Sequence, residues 1–392
     1  QTREHLAILD LLGIEDGIVA LTKIDLVEDE EWIDLVGAEV REVLQGTTLA
    51  DADIIPVSAY TGQGIDRLLE ALTALLERVP PRVDYNAPRL PIDRIFTISG
   101  FGTVVTGTLV GGSLHVGDEV EVQPSGVRGR IRGLQSHKQS VTNIATGSRA
   151  AVNIAGIDKR MLKRGEVLTR PGQLQATALI DVRFRYLPEI TRPLKHNAEV
   201  KFFSGAAEAN ARVRLLADQE LQPGAESWLQ LRLEAPLALA QGDRYILRYP
   251  SPGETIGGGV IVNPHPARRW KRLQSAVIEQ LELRAQGSPA ERLAQAAQAN
   301  EPIKRPNLQK QVGLSDVELR TAVAEALEGG LLVEFPDGGM MASSTYQQLQ
   351  HRAKQELRAY HTAQPLQLGM LREELRSRLG LKAATFNVLV YG

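Results

Sequence analysis

The hydrophobic period changes twice along these 392 residues, so the chain cannot be built around one core of one architecture. Its first stretch alternates: an amphipathic segment from Thr2 to Leu12, an apolar run Ile18 to Leu21, a helical segment around Trp32 to Leu44, and a second apolar run Ile54 to Val57. That order is α/β patterning. Ile65, Leu68, Leu69, Leu72, Leu75, Leu76 and Val79 then recur at three- and four-residue steps, the face of a long helix that Pro80-Pro81 ends. From about residue 88 to 264 the pattern becomes short β-rich runs split by glycine pairs, such as Ile95 to Ile98, Val104 to Val110, Glu119 to Gln123, Leu179 to Phe184 and Tyr245 to Tyr249. That length predicts two β-barrel domains, joined near Arg170-Pro171-Gly172.

After His265-Pro266 helical spacing takes over, beginning with a helix predicted from Arg268 to Leu283. Leu314-Ser315-Asp316 offers an N-cap to a helix from Val317 to Leu327, and two short runs, Leu331 to Phe335 and Met340 to Ser343, flank the turn Pro336-Asp337-Gly338-Gly339. Three helices and a hairpin describe a winged helix. A second such block starts near Tyr346, with Met370 to Leu379 and a helix from Lys382, and the sequence reaches Gly392 before any second hairpin. The expected fold class is therefore multidomain: part of an α/β domain at 1–81, β-barrels at 88–171 and 172–264, α+β winged helices at 265–345 and, incompletely, at 346–392.

Charge is divided unevenly over these parts. Residues 1–81 hold 5 Lys/Arg against 17 Asp/Glu, residues 82–264 hold 23 against 17, and residues 265–392 hold 17 against 13, so the parts carry −12, +6 and +4. A polyanionic partner would therefore touch the later parts, where Lys and Arg can neutralise phosphates; scattered surface charge is the other reading. The chain has no Cys, which excludes disulfides, thiolate metal sites and a cysteine nucleophile, and its 7 His are too scattered for a metal cluster. Neither a run of about 18 apolar residues nor a signal-peptide pattern occurs, which leads to the expectation of a cytoplasmic protein with no membrane partner.

Two segments of the first part can recognise a base. The run Ile18 to Leu21 leads straight into Thr22-Lys23-Ile24-Asp25, which places polar side chains at the carboxyl end of a parallel strand, where open α/β sheets bind ligands. Guanine presents two adjacent donors, N1–H and the N2 amino group. A fixed carboxylate at Asp25 accepts both, which adenine cannot match, and the stem of Lys23 can cover the base plane. The next strand delivers Pro56-Val57-Ser58-Ala59, whose backbone N–H groups are expected to meet guanine O6. An ordinary strand-end turn is the alternative for the first motif taken alone.

With the helix opened by Gly62-Gln63-Gly64, the two segments resemble the fourth and fifth guanine-binding motifs of Ras-like GTPases, with Thr22 where that family usually has Asn. No Gly-x-x-x-x-Gly-Lys-Ser/Thr phosphate loop occurs, so no catalytic residue is assigned and the chain alone is expected not to hydrolyse GTP. Its opening at Gln1-Thr2-Arg3-Glu4-His5 reads as an amino-terminal truncation of a GTPase, with a degenerate pseudo-GTPase as the competing account.

The run from Ile92 to Thr108 (IDRIFTISGFGTVVTGT) resembles the opening of the second domain of EF-Tu-type translational GTPases. Gly100 and Gly102 permit a tight bend, and Gly117-Asp118 forms a turn before the next strand. Three features, the Ile92-Asp93-Arg94 start, Gly147 to Gly156 (GSRAAVNIAG) and Thr255 to Pro264 (TIGGGVIVNP), together with the helical tail, resemble the bacterial selenocysteine-specific elongation factor family over essentially the whole chain. That resemblance implies a factor that uses GTP with Mg2+ and delivers selenocysteyl-tRNA to the ribosome, with its winged helices binding a hairpin in the selenoprotein mRNA, mainly through the last of them. It also implies that Asp93, Arg94 and Arg149 line the selenocysteyl pocket; the alternative is an ion pair tying two strands.

Arg128, Arg130 and Arg132, at period two on one strand face, and the following Lys138 are candidate RNA contacts, with a solvated face as the other reading. Arg268-Arg269-Trp270-Lys271-Arg272 is a second basic cluster, expected on a helix and read mainly as a connection between domains, with RNA contact as the other reading. Two other functions stay open: a different EF-Tu-like GTPase with an RNA-binding tail, and a non-enzymatic winged-helix DNA-binding protein.

Overall fold

A computed structural model describes residues 2–80, 82, 84–98, 102–251, 253–298, 302–312, 314 and 316–391. It divides into two compact units, residues 1–278 and 279–392. The first begins with an α/β segment: α1 (Thr2–Leu11), β1 (Ile18–Leu21), α2 (Glu30–Leu44), β2 (Asp53–Pro56) and α3 (Ile65–Arg78). Strands β1 and β2 pair in parallel, Ile18 opposite Asp53 and Leu21 opposite Pro56, so their carboxyl ends lie side by side. Gly64 starts α3 at φ 75°; a Cβ there would stand 2.2 Å from the Pro56 carbonyl oxygen, which is why the chain turns on glycine. The apolar face of α3 is only partly covered: no side chain of this helix is fully buried and Leu69 and Leu76 stay exposed. A two-stranded sheet offers too little surface to cover it.

The next strands are β3 (Arg89–Pro91), β4 (Arg94–Ile98), β5 (Gly102–Thr108), β6 (Leu114–His115), β7 (Glu119–Gln123), β8 (Val127–Ser136), β9 (Gln139–Val141), β10 (Asn143–Ile144), β11 (Arg149–Ala155) and β12 (Val167–Thr169). Eight of them form a sheet in the order β3-β12-β7-β8-β11-β5-β4, with β9 on β8, while β6 and β10 pair separately. A bridge from Arg89 to Val110 draws the first strand back to the end of β5, curling the sheet around Leu90, Ile92, Val105, Leu134 and Val152. Gly102 has φ 92° at the β4–β5 bend; Gly100 lies outside the described residues.

Strands β13 (Ala176–Tyr186), β14 (Leu194–Lys195), β15 (Glu199–Ser204), β16 (Ala207–Leu215), β17 (Glu220–Leu221), β18 (Glu226–Ala238), β19 (Arg244–Arg248) and β20 (Thr255–Asn263) follow. Six of them close a barrel, β13-β18-β16-β15-β19-β20. Strand β16 shows how the pattern folds: Ala207, Ala209, Ala211, Val213 and Leu215 point inward while Glu208, Asn210 and Arg212 face solvent. Closure at β20 requires glycine, since a Cβ on Gly259 would lie 2.1 Å from the Arg183 carbonyl oxygen and one on Gly258 2.4 Å from that of Tyr245.

Helix α1 docks on this barrel. Leu11 enters the barrel's core cluster at 2% exposure, worth about 2 kcal/mol of burial. Asp10 pairs with Arg185, and Glu4 accepts from Arg248 Nη2 at 3.1 Å. The two β regions are tied by Arg89, whose Nη1 donates to both oxygens of Asp243 at 2.9 Å.

The sequence predicts a helix from Arg268; the structure starts it at Ser275, α4 (Ser275–Gln286), and leaves residues 264–274 as an irregular strap on the barrel. The strap is held by tertiary hydrogen bonds that a helix would forfeit. Trp270 Nε1 donates to Asp181 Oδ2 at 2.9 Å, Gln230 Oε1 accepts from the Trp270 amide at 3.3 Å, and Leu273 N donates to Leu216 O at 2.7 Å. Asp181, fully buried, also accepts from Gln230 Nε2 and Asn263 Nδ2.

The second unit continues with α5 (Pro289–Gln298), β21 (Ile303–Lys304), α6 (Arg305–Val312), α7 (Asp316–Glu328), β22 (Leu332–Glu334) and β23 (Gly339–Ala342). Its core gathers Leu293, Leu308, Val323, Leu332 and Met340, so three helices and the hairpin pack as one winged helix. Of the Leu314-Ser315-Asp316 segment expected to cap α7, Ser315 lies outside the described residues. Then α8 (Ser343–Ala363), α9 (Arg372–Leu379) and α10 (Ala383–Tyr391) enclose a smaller core of Ala353, Leu375, Leu379 and Phe386. Among the described residues no helix is long and apolar enough to cross a membrane.

Candidate functional site

Two places bring predicted residues together. The first lies on the curled sheet, where β11, β5 and β4 are neighbours and Arg94 stands opposite Thr106. Asp93 enters here: its amide donates to Thr106 O at 2.9 Å, and its carboxylate accepts from Thr106 Oγ1 at 2.7 Å. Arg149, at the start of β11, forks onto the same carboxylate, Nη2 reaching Oδ1 at 3.0 Å while Nη1 binds Oδ2. Such a bidentate pair fixes both groups in one plane.

Partial burial alone would raise the Asp93 carboxyl; hydrogen bonds from Arg149 and Thr106, with the charges of Arg149 and Arg94, outweigh it and hold the carboxyl below its ordinary value. The hydrogen bonds that Arg149 donates to Asp93 raise its guanidinium in turn. Arg94 is exposed and makes no hydrogen bond or ion pair among the described residues. Two guanidiniums and one carboxylate leave the cluster one net positive charge, with Arg94 free to approach an anion. Thr106 was missed in the sequence, where it reads only as a strand residue of the Thr-Val-Val-Thr run.

The second place is the shared carboxyl end of β1 and β2. Lys23 adopts a left-handed conformation, φ 64°, which turns the chain so that Asp25 enters a short 3-10 turn, Ile24–Leu26. Ser58 has a different role from the one expected. Its buried hydroxyl donates to Asp25 Oδ1 and accepts from the amides of Tyr60 and Thr61 at 3.2 and 3.1 Å. Its own amide donates to Gln63 O, and the Val57 amide to Leu21 O, so of that segment only the Ala59 amide is left to meet a ligand. Thr22, Lys23 and Asp25 are exposed, and Thr22 makes no hydrogen bond among the described residues. Asp25 keeps Oδ2 open and a second lone pair on Oδ1, the capacity that two adjacent donors require.

The arginine row on β8 is partly neutralised by the neighbouring strand. Arg130 donates to Glu119 at 3.0 Å and Arg128 lies 3.6 Å from Glu121, while Arg132 and Lys138 have no partner among the described residues. No group of three His, Cys, Asp or Glu able to hold a metal ion occurs among those residues.

Comparison with known proteins assigns four regions. The elongation factor Tu GTP binding domain matches residues 1–78, elongation factor Tu domain 2 matches 102–169, the beta-barrel domain of selenocysteine-specific elongation factor matches 181–268, and the elongation factor SelB winged helix matches 355–391. The selenocysteine-specific elongation factor of Desulfomicrobium baculatum is 37% identical over 393 aligned residues, covering 97% of this chain. The chain belongs to the selenocysteine-specific elongation factors. Its Escherichia coli relative of that name is 36% identical over 275 residues, covering 69% of this chain and 42% of its own length. The chain spans 60% of the Desulfomicrobium relative.

Solved structures agree in fold. A bacterial selenocysteine-specific elongation factor, EF-Sec, superposes with a TM-score of 0.78 at 24% identity over 100% of this chain and 61% of its own. The apo form of translation elongation factor SelB from Methanococcus maripaludis gives 0.60 at 29% identity over 68% of this chain and 61% of its own.

Proposed function

We propose that this chain carries the tRNA-handling surfaces of a GTP-driven elongation factor that brings selenocysteyl-tRNA to the ribosome. The observation that carries this reading is the Asp93–Arg149 fork with Arg94 beside it. A selenol is more acidic than a thiol, so the selenocysteyl side chain is largely an anion at neutral pH. A seryl hydroxyl is neutral. The net positive charge of the cluster therefore favours the selenolate, with Arg94 and the remaining N–H groups of Arg149 as donors and Asp93 orienting Arg149.

In the same reading, Asp25 accepts the two adjacent guanine donors, Lys23 covers the base and the Ala59 amide meets O6, with Thr22 and Ser58 shaping the loops around them. GTP supplies the phosphate whose loss ends the tRNA grip. The sequence has no Gly-x-x-x-x-Gly-Lys-Ser/Thr loop, so the phosphates and Mg2+ would be held by other residues of a longer protein, and these 392 residues would not hydrolyse GTP alone. The winged helices take the mRNA hairpin in such a protein, and Arg132 and Lys138 are the better-placed candidates on β8 for RNA contact, being unpaired.

The test compares the affinity of the protein for selenocysteyl-tRNA and seryl-tRNA, before and after Arg149→Ala. Two unit charges about 4 Å apart interact by about 4 kcal/mol at an effective dielectric of about 20. Because the Arg149 side chain is 50% exposed, solvent cuts this to about 1 kcal/mol. The preference for selenocysteyl-tRNA should fall about fivefold. An unchanged preference would sink the assignment.

A further inference from the structure

The strap gathers basic side chains that neither site above uses. Arg214, on β16, donates from Nε and Nη2 to Trp270 O at 3.0 and 2.8 Å. Arg272 donates from Nε to Leu215 O at 2.8 Å and from Nη2 to Asp218 O at 2.9 Å. These acceptors are carbonyls, which fix a guanidinium without neutralising it. His196 lies in the turn alongside, because the Asn197 amide donates to Val213 O at 2.7 Å, next to Arg214. Arg269 and Lys271 extend from the strap, exposed and without a hydrogen bond or ion pair among the described residues.

Two carboxylates stand near this cluster. Asp218 accepts the hydroxyl of Ser227 at 2.5 Å, and Glu220 of β17 stands opposite Lys195 of β14. Excess positive charge is felt inside the cluster: burial, then the charges of Arg269 and Arg272, push the Arg214 guanidinium below its ordinary value. Burial, then Arg272, Arg214 and Arg269, do the same to His196, whose Nδ1 is enclosed without a partner.

We propose that the strap junction, formed by Arg214, Arg269, Lys271 and Arg272 with His196 beneath, is a phosphate-binding site that takes a phosphodiester of an RNA backbone. Arg214 and Arg272 are already held in place by the barrel, so their ordering is not charged to binding, and their unused N–H groups retain the planar geometry that matches phosphate. Arg269 and Lys271 supply mobile charge at the rim. The site is on the closed barrel and is independent of the Asp93 pocket.

The experiment titrates a fluorescently labelled RNA duplex of arbitrary sequence with the protein over a salt series, and titrates inorganic phosphate separately by calorimetry. Arg269→Gln is the variant, since Arg269 makes no contact that folding needs among the described residues; Arg160→Gln, at an arginine already paired with Asp158, is the control. Arg269→Gln should weaken RNA binding several-fold at low salt and reduce the slope of log K against log salt by about one, while Arg160→Gln changes neither. Loss of phosphate binding in Arg269→Gln with RNA binding untouched would support the site and reject RNA in favour of free phosphate. Unchanged binding of both probes would overturn the proposal.

Discussion

Trp270→Phe isolates one bond of the strap. The substitution keeps an aromatic ring at this position and removes the N–H that reaches Asp181 Oδ2 at 2.9 Å. Asp181 is fully buried, and its carboxyl accepts from Gln230, Asn263 and Trp270. A hydrogen bond to such an acceptor is worth about 1.5 to 3 kcal/mol, and no water replaces the indole in a buried site. Every other strap bond, Arg214 to Trp270 O included, must break for the strap to open in the wild type and in the variant alike. The difference in opening free energy is therefore that one bond.

Limited trypsin digestion reads this directly, because Arg268, Arg269, Lys271 and Arg272 are cleavage sites within the strap. Where closing is faster than cutting, the rate follows the open population, so cleavage should accelerate about 10- to 150-fold. Cleavage in the variant within about twofold of wild type would show that Asp181 does not hold the strap through Trp270.

Two further outcomes are expected. Gly259→Ala places a methyl where the Arg183 carbonyl oxygen is 2.1 Å away, so barrel closure should be lost, seen as disappearance of the native β signal in circular dichroism and as insoluble expression; a natively folded variant would refute the packing argument. The Asp93 carboxyl, held below its ordinary value, contributes stability that is full above that value and disappears as pH falls through the lower folded one. Its carbon-13 carboxyl resonance should therefore titrate with a midpoint below about 3.9, leaving the Arg149 pair intact at neutral pH; a midpoint at or above that value would contradict the geometry.

Local periodicity carried much of this molecule. The run Glu119 to Gln123 that became β7, the parallel runs β1 and β2 and the winged-helix hairpin were all legible because each is set by side chains a few residues apart. The same local reading misjudged the residues after His265, where helix-compatible spacing from Arg268 gave way to an irregular strap. Propensity is worth only tenths of a kcal/mol per residue, and the hydrogen bonds to Asp181, Gln230, Leu215 and Leu216 outweigh it.

The candidate sites divide along the same line. The sequence by itself determined which chemical groups are present: Asp25 at a strand end, Asp93 and Arg94 side by side, Arg149 at the head of a β run. Only the tertiary structure decided their partners. Arg149 lies 56 positions from Asp93, and Ser58 lies 33 from Asp25, and in both cases strand pairing across the fold makes them neighbours. Thr106 joined Asp93, Glu119 and Glu121 neutralised two arginines of β8, and the amides of Val57 and Ser58 were taken by the backbone, for the same reason. A residue's type is local, but its hydrogen-bond partner and its net charge environment are set by whichever strand lies beside it.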